Sequence, residues 1–412
     1  MLWTEDLEYQ NAIRCYLRKN YLRKDSAVQK AVDFNVVKKL STYIKSLAPN
    51  PSEFNFTTPL YGWWDLTSAC NFRCIHCLYN DREYSDTNDL TTEEAFCLAD
   101  ELINVFGIAC MTLTGGEIFL RKDTIDIIRL FKENNVSLHL ASNAALLNDE
   151  MIEQLAELLD PYSDSIQISL DGASKEVFET IRRTNLFDKI VENIKKLTDR
   201  NVTVNISYVV NKINYHEAID IYNLCETLGV NSVLLGKLMC FNESHKALEV
   251  SDRDLILLTE RVYKYEKLNS KVDFMCNFFT PLEFLNLPGV SEILQEEEFR
   301  PIFNEHTMPM SRECNFHEKI SIRSDGRVYM CMPAETCKHS LMGNFRENSL
   351  MEIWEKRGEN ILFKPRLMEN SKCKSCKYNV LCTSGCKARA YDKFGDINLP
   401  EINCKFVSNI NC

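Results

Sequence analysis

The chain has 412 residues, 45% hydrophobic and 26% charged, with 48 basic against 59 acidic side chains and a net charge of −11. Such a composition suits a folded protein of one large domain and a smaller one, and the acidic balance argues against a nucleic-acid partner, which would need a basic patch. The acidic start Met1-Leu2-Trp3-Thr4-Glu5-Asp6 carries no export signal and no apolar run can span a bilayer, so the 18 cysteines point to metal ligation in a reducing cytoplasm, without a membrane.

Residues 1–60 are expected to be a helical extension, with helices at about 5–22 and 26–47 ending at Ala48-Pro49-Asn50-Pro51. Packing against the outside of the next domain is the expected role. From residue 61 strand-like and helix-like segments alternate. Strands are predicted at 61–67, 108–114, 136–141, 165–170, 202–210 and 232–238. Helices fit between them at about 92–106, 122–134, 149–159, 174–182, 187–200 and 215–228, the first opened by the capping box Thr91-Thr92-Glu93-Glu94. Apolar strands separated by amphipathic helices predict an α/β fold, parallel units closed or nearly closed into a barrel over 61–240. Residues 241–310 read as a helical, acidic linker, with His245, Cys276 and His306 as ordinary residues. Residues 311–412 form a small cysteine-rich domain.

Directly after the first strand comes Cys70-Asn71-Phe72-Arg73-Cys74-Ile75-His76-Cys77, a C-x3-C-x2-C spacing. Three thiolates so placed can converge on one cluster and leave one iron open. A structural zinc site is the alternative, but it takes four ligands, and His76 could serve only by distorting the loop.

The triad resembles the signature of the radical S-adenosylmethionine (SAM) enzymes. The resemblance implies that Cys70, Cys74 and Cys77 hold a [4Fe–4S] cluster whose open iron binds SAM. It implies a partial (β/α)6 TIM-like barrel, with chemistry at the C-terminal strand ends. His76 takes the place of an aromatic residue near the adenine, and Tyr79 follows. Gly115-Gly116-Glu117 after strand two is similar to the family's binder of the methionyl amine. Ser142-Asn143 resembles a Ser-Asn-Gly turn, with Ala144 in place of glycine. Ser169-Leu170-Asp171-Gly172 resembles Ser-x-Asp-Gly. Arg182 falls where relatives pair an arginine with the SAM carboxylate, although Arg183 competes for the role. Asn211 resembles a ribose contact. Taken singly, Gly115-Gly116-Glu117 reads equally as a tight turn and gains weight from its place after the next strand, the Ser142-Asn143 and Ser169–Gly172 motifs read first as turns or caps, and an exposed helical arginine is the alternative for Arg182.

The last hundred residues carry Cys314, Gly326-x4-Cys331, Cys373-x2-Cys376-x5-Cys382-x3-Cys386 and Cys404. These spacings are similar to the SPASM extension of radical SAM enzymes. The resemblance implies two auxiliary [4Fe–4S] clusters: an outer one on Cys373, Cys376, Cys382 and Cys404, and an inner one on Cys314, Cys331 and Cys386. The fourth inner ligand is either Cys337 or an open site. Cys373-x2-Cys376 alone would favour zinc. Cys15, Cys97, Cys110, Cys225, Cys240, Cys276, Cys337 and Cys412 are expected mostly as buried thiols.

Peptide maturation, an oxidation begun by hydrogen abstraction from a ribosomally made precursor peptide, is the leading expectation. A flavodoxin- or ferredoxin-type protein would be the reductant. Sulfatase-type maturation is lowered because Met332, not aspartate, follows Cys331. A small-molecule radical SAM enzyme and an iron–sulfur electron carrier compete with the peptide reading. No general base or hydrogen donor is identified.

Overall fold

A computed structural model describes residues 7–17, 57–77, 88–240, 242–268, 272–279, 281–303, 317–331, 337, 339–367, 372–382, 384–401 and 404. Seven parallel strands are laid down in chain order: β1 (Tyr61–Thr67), β2 (Cys110–Gly115), β3 (Ser137–Ser142), β4 (Ser165–Ser169), β5 (Val204–Val210), β6 (Ser232–Lys237) and β7 (Asp273–Asn277). Each pairs with the next. Parallel strands are covered by helices, so their side chains are apolar on both faces. Trp64, Leu113, Leu138, Ile166, Ile206 and Val233 are all buried.

The covering helices form where the period of 3.6 permits one apolar stripe. Phe187–Asp199 buries Ile190, Ile194 and Leu197 on one side. Thr92–Asp100 opens with the expected capping box: Thr91 Oγ1 accepts from the Glu94 N–H at 3.2 Å, and Glu94 Oε2 accepts from the Thr91 N–H at 2.8 Å. The six expected strand–helix units are present, and the sheet differs from the expectation at both ends.

At one end β7 lies within the stretch expected to be helical. Its Phe274 stacks on Tyr222 of the helix Asp220–Leu228, ring centres 5.1 Å apart, which seats the strand beside β6. At the other end β8 (Lys319–Ile322) runs parallel to β1, followed by antiparallel β9 (Arg327–Tyr329) and β10 (Leu341–Asn344). Among the described residues the sheet order is β10-β9-β8-β1-β2-β3-β4-β5-β6-β7, and its two edges do not pair. The expected partial barrel is present and the sheet is not closed; the closed or nearly closed reading is corrected, because the C-terminal hairpin occupies the β1 edge that closure would use.

That hairpin is also the seam between the two parts of the chain. Asp65 on β1 and Arg323 after β8 form a buried ion pair. Trp354 Nε1 donates to the Thr57 carbonyl at 2.7 Å, and Arg346 donates to the carbonyls of Asn88 and Asp89. The N-terminal helix Leu7–Leu17 packs on Asp252–Leu268, and its Arg14 forks onto Glu296 at 2.7 and 2.9 Å. The helix thus packs on the stretch expected to be a linker rather than on the strand–helix units of 61–240; the second expected helix lies outside the described residues. Among the described residues no helix is long and apolar enough to cross a membrane.

Candidate active site and cluster ligands

The cysteine triad follows β1 at the C-terminal ends of the parallel strands, and neighbouring strand ends hold its loop. The Gly116 N–H donates to the Thr67 carbonyl and the Glu117 N–H to the Ala69 carbonyl, each at 2.8 Å. This approach needs the two glycines. A Cβ on Gly115 (φ +136°) would stand 2.4 Å from the Thr67 oxygen, and one on Gly116 would stand 2.0 Å from the Ala69 oxygen. The glycines bring β2 onto the cysteine loop.

Glu117 is fully buried and turned toward β3. Its carboxylate accepts from Ser142 Oγ at 2.7 Å, from the Asn143 N–H at 2.7 Å and from the Phe119 N–H at 3.3 Å. Burial pushes its pKa up, against those three donors. Asn143 in turn donates to Asn71 Oδ1 at 2.8 Å, inside the triad loop. Ala144 takes the left-handed backbone (φ 59°) that a glycine would adopt freely.

Arg182 and Asp171 meet at the third side of the loop. The guanidinium pairs with Asp171 Oδ2 and donates to Cys74 Sγ at 3.5 Å. Burial opposes its charge, but Asp171 and the Cys74 sulfur outweigh it and its pKa rises. Asp171 Oδ1 is held by the Val209 N–H at 2.7 Å. Arg182, not Arg183, faces the site: Arg183 ends the helix in a left-handed cap. His76 Nε2 lies 3.3 Å from Asp171 Oδ2, and burial brings the ring down to about 4 despite that carboxylate, so it is neutral. Ser169 ends β4, half-buried. Asn211 ends β5 with its side chain committed locally, accepting from the Ile213 N–H at 2.9 Å and donating to the Val209 carbonyl at 3.0 Å. Tyr79 lies outside the described residues.

The donor set fits an iron–sulfur cluster. Cys70 Sγ accepts from the Phe72 N–H at 3.4 Å and Cys74 Sγ from Arg182, so sulfur charge has donors waiting for it. Burial lifts the Cys70 thiol to about 11 and raises Cys74 also, so iron would have to displace protons. In the C-terminal domain the Cys382 thiol is raised to about 11, chiefly by burial, with smaller contributions from the sulfurs of Cys373, Cys376 and Cys404, the other expected outer ligands. Cys331 follows β9 and is buried. Cys386 caps the helix Lys387–Phe394, and its N–H donates to Glu401 Oε2 at 2.7 Å. Cys337 is buried, its Sγ 3.6 Å from the Ala388 carbonyl of that helix. Cys314 lies outside the described residues. Among the described residues no three His, Cys, Asp or Glu side chains close on a single metal ion. Of the cysteines left over, Cys110, Cys225 and Cys276 are buried as expected, whereas Cys97 is exposed.

One residue read from sequence as ordinary is not so in the fold. His245, on the helix Glu243–Leu248, is buried with neither ring nitrogen partnered among the described residues. A lone histidine on a short polar helix gives no sequence signal of this.

Residues 64–225 match the family model of the radical SAM superfamily, and residues 314–377 match SPASM, an iron–sulfur cluster-binding domain. An AdoMet-dependent heme synthase of Methanosarcina barkeri is 27% identical over 357 residues, covering 83% of this chain and 95% of its own. A probable GTP 3′,8-cyclase of Saccharolobus solfataricus is 31% identical over 273 residues, covering 66% of this chain and 82% of its own. Among solved structures, Streptococcus suis SuiB bound to S-adenosylmethionine has a similar fold, with a TM-score of 0.68 at 18% identity, covering 97% of this chain and 88% of SuiB.

Proposed function

The chain belongs to the radical SAM superfamily and is an enzyme with a SPASM iron–sulfur domain, and from that premise we propose that it modifies a ribosomally made peptide by hydrogen abstraction. Cys70, Cys74 and Cys77 would hold the [4Fe–4S] cluster at which SAM binds. When bound and reduced, cluster and cofactor together supply the 5′-deoxyadenosyl radical that takes a hydrogen atom from the substrate.

The protein's own contribution is position. Arg182 presents a planar fork suited to the methionyl carboxylate, and Asp171 keeps that fork charged and aimed. Gly115 and Gly116 seat β2 against the triad loop, while Glu117 orders Ser142 and Asn143 beside it. Ser169 and Asn211 bound the site at the β4 and β5 ends. Cys373, Cys376, Cys382 and Cys404 would hold the outer auxiliary cluster, and Cys314, Cys331 and Cys386 the inner one, with Cys337 or an open site in the fourth place. A flavodoxin- or ferredoxin-type protein would deliver the electron.

The peptide reading is carried by the likeness in fold to SuiB, whose structure has also been solved with its precursor peptide SuiA. A small-molecule substrate is the second reading, favoured by the identity with the heme synthase along 95% of that protein.

The test is anaerobic. The full chain is reconstituted with iron and sulfide, reduced and given SAM, and 5′-deoxyadenosine is measured alone, with a precursor peptide encoded beside the gene, and with an iron porphyrin carrying carboxylates. We expect formation that the peptide stimulates and that Cys74→Ala lowers at least about 100-fold while auxiliary iron is retained. Stimulation by the porphyrin instead would give the function to the second reading. Undiminished formation in Cys74→Ala would remove the triad from the reaction.

A further inference from the structure

Only Ser68 and Ala69 separate the end of β1 from Cys70, and they are held from two sides. On the β2 side the Gly116 N–H donates to the Thr67 carbonyl and the Glu117 N–H to the Ala69 carbonyl, each at 2.8 Å. On the other side stands Asp89, which lies beyond the triad in sequence. Its carboxylate accepts from Thr67 Oγ1 at 2.6 Å and from the Ser68 N–H at 3.0 Å, and Thr67 Oγ1 in turn accepts from the Ala69 N–H at 3.1 Å. The N–H groups of Ser68 and Ala69 and the carbonyls of Thr67 and Ala69 are thereby all bonded. The backbone that delivers Cys70 is pinned.

Asp89 is not needed to start the helix Thr92–Asp100, which has its own capping box in Thr91 and Glu94. It is itself clamped from the C-terminal domain. Arg346 Nη1 donates to the Asn88 carbonyl at 3.0 Å and Nη2 to the Asp89 carbonyl at 2.9 Å, while its fork closes on Glu94 at 2.8 and 2.9 Å. The rigid, planar guanidinium can fix all of these acceptors at once. In the turn between β8 and β9 the Ser324 carbonyl accepts from the Leu90 N–H at 2.6 Å. Leu90 is buried against the same turn, where a Cβ on Gly326 would stand 3.2 Å from its Cδ2. Arg121 Nη1 completes the clamp on the Leu90 carbonyl at 2.6 Å.

A continuous set of contacts thus joins the C-terminal domain to the first cysteine of the triad. The groups that Asp89 meets at the β1 end are donors, and an ionised carboxylate, which only accepts, is the side chain that suits them. Its part is positional, because it bonds the peptide ahead of the ligand, and groups behind a metal's ligands set their orientation. We propose that Asp89 is the positioning residue that sets Cys70 for its cluster, and that Arg346 makes this setting depend on the docked C-terminal domain. The proposal rests on the radical SAM reading above and adds to it a link between the auxiliary-cysteine domain and the triad.

The rate at which the anaerobically iron-loaded full chain gives up iron to a chelator tests it. The kinetic phase missing from Cys74→Ala belongs to the triad. Asp89→Ala should speed that phase about tenfold, the usual scale for a group behind a metal ligand, and leave the other phases at the wild-type rate. Asp89→Asn keeps a carbonyl oxygen for the Ser68 N–H and should recover most of the loss. Arg346→Met should speed the triad phase about threefold, the worth of a modest hydrogen bond. In the Asp89→Ala background it should add nothing, because it acts through Asp89. An unchanged triad phase in Asp89→Ala overturns the proposal, as does equal acceleration of every phase. Additive effects in the double variant overturn the part given to Arg346. Should Asp89→Ala not fold, Thr67→Val removes the hydroxyl that joins Asp89 to the Ala69 N–H and should speed the same phase alone; a wild-type rate there overturns the assignment. A protein in which Cys74→Ala lacks no phase removes the parent reading, and this proposal with it.

Discussion

The triad loop and the C-terminal cysteine array are both built to hold clusters, yet they are held in place by different means. The triad loop is fastened by distant strand ends: the Ile75 N–H donates to the Ile181 carbonyl at 3.0 Å, Asn143 to Asn71, Glu117 to Ala69, and Arg182 to Cys74. The array carries short-range bonds of its own. The Cys376 N–H donates to the Cys373 carbonyl at 3.1 Å, the Cys382 N–H to Tyr378 at 3.1 Å, and the Gly385 N–H to Cys382 at 2.8 Å. Among the described residues its ties to other parts of the chain include Lys387 Nζ on the Lys364 carbonyl, Tyr378 on the Ser291 carbonyl and the ring contact of Tyr391 with His339. We expect the sheet to organise the first site before iron arrives, and the second to draw more of its order from its ligand.

Iron removal should break the symmetry between them most strongly. Chelation under anaerobic conditions is expected to speed amide exchange across residues 372–401 by at least about 100-fold, while the amides of β1 to β6 keep their protection. Equal deprotection of both regions would show that the sheet, too, is stabilised by iron. Next in size comes the support of the triad itself. Asp171→Asn preserves the acceptor for the Val209 N–H but leaves Arg182 buried without its counter-charge, which costs about 3 kcal/mol for a broken buried pair. A urea midpoint of the iron-loaded protein should fall accordingly, with the auxiliary iron unaffected. An unchanged midpoint would mean that the Cys74 cluster alone compensates Arg182.

The same contrast explains what could be read in advance. The six strand–helix units were legible because parallel strands buried on both faces are short apolar runs, and their helices repeat at 3.6. β7 was not, since Asp273–Asn277 is polar at both ends and its apolar Phe274 finds meaning only against Tyr222. The three-to-four-residue strands β8 to β10 carry too little pattern to announce themselves, and exist because β1 offers an edge. Among site residues, spacing pointed to the cysteines. The choice of Arg182 over Arg183 needed the left-handed cap at Arg183. The glycines of Gly115-Gly116 suggested approach to a ligand, and in the fold they approach the Thr67 and Ala69 carbonyls. For His245 the telling fact is a lack of partners, which belongs to tertiary structure alone.

Acid sensitivity sharpens the comparison further, because it should arise in the sheet. His139 on β3 faces Ser165 on β4, its Nδ1 3.1 Å from Ser165 Oγ, and burial brings its pKa down to about 4 although Asp164 opposes the shift. Between that value and the unfolded value of about 6.5, only the unfolded chain takes up the proton. The stability present above pH 6.5 is therefore lost as pH falls toward 4, about 2 kcal/mol between pH 7 and pH 5. The stability difference between wild type and His139→Gln should shrink by that amount over this interval. Parallel pH profiles would move the acid sensitivity elsewhere.

The smallest effect is expected at Ala144. Its left-handed backbone costs about 1 kcal/mol for a residue with a Cβ. Ala144→Gly would relieve this, but the glycine gains about 0.5–1 kcal/mol of unfolded-state entropy and gives up a buried methyl. The terms nearly cancel, so the urea midpoint should move by the equivalent of less than about 1 kcal/mol. SAM affinity should also hold, because the loop's shape is imposed from outside the residue. Ser142 Oγ accepts the Ala144 N–H at 2.9 Å, Asn193 donates to its carbonyl at 2.9 Å, and Glu117 fixes the Ser142-Asn143 pair that precedes it. A large change in either quantity would mean that this strained alanine itself sets the geometry of the β3 end, and that the triad's framework is less independent of its local sequence than the sheet contacts imply.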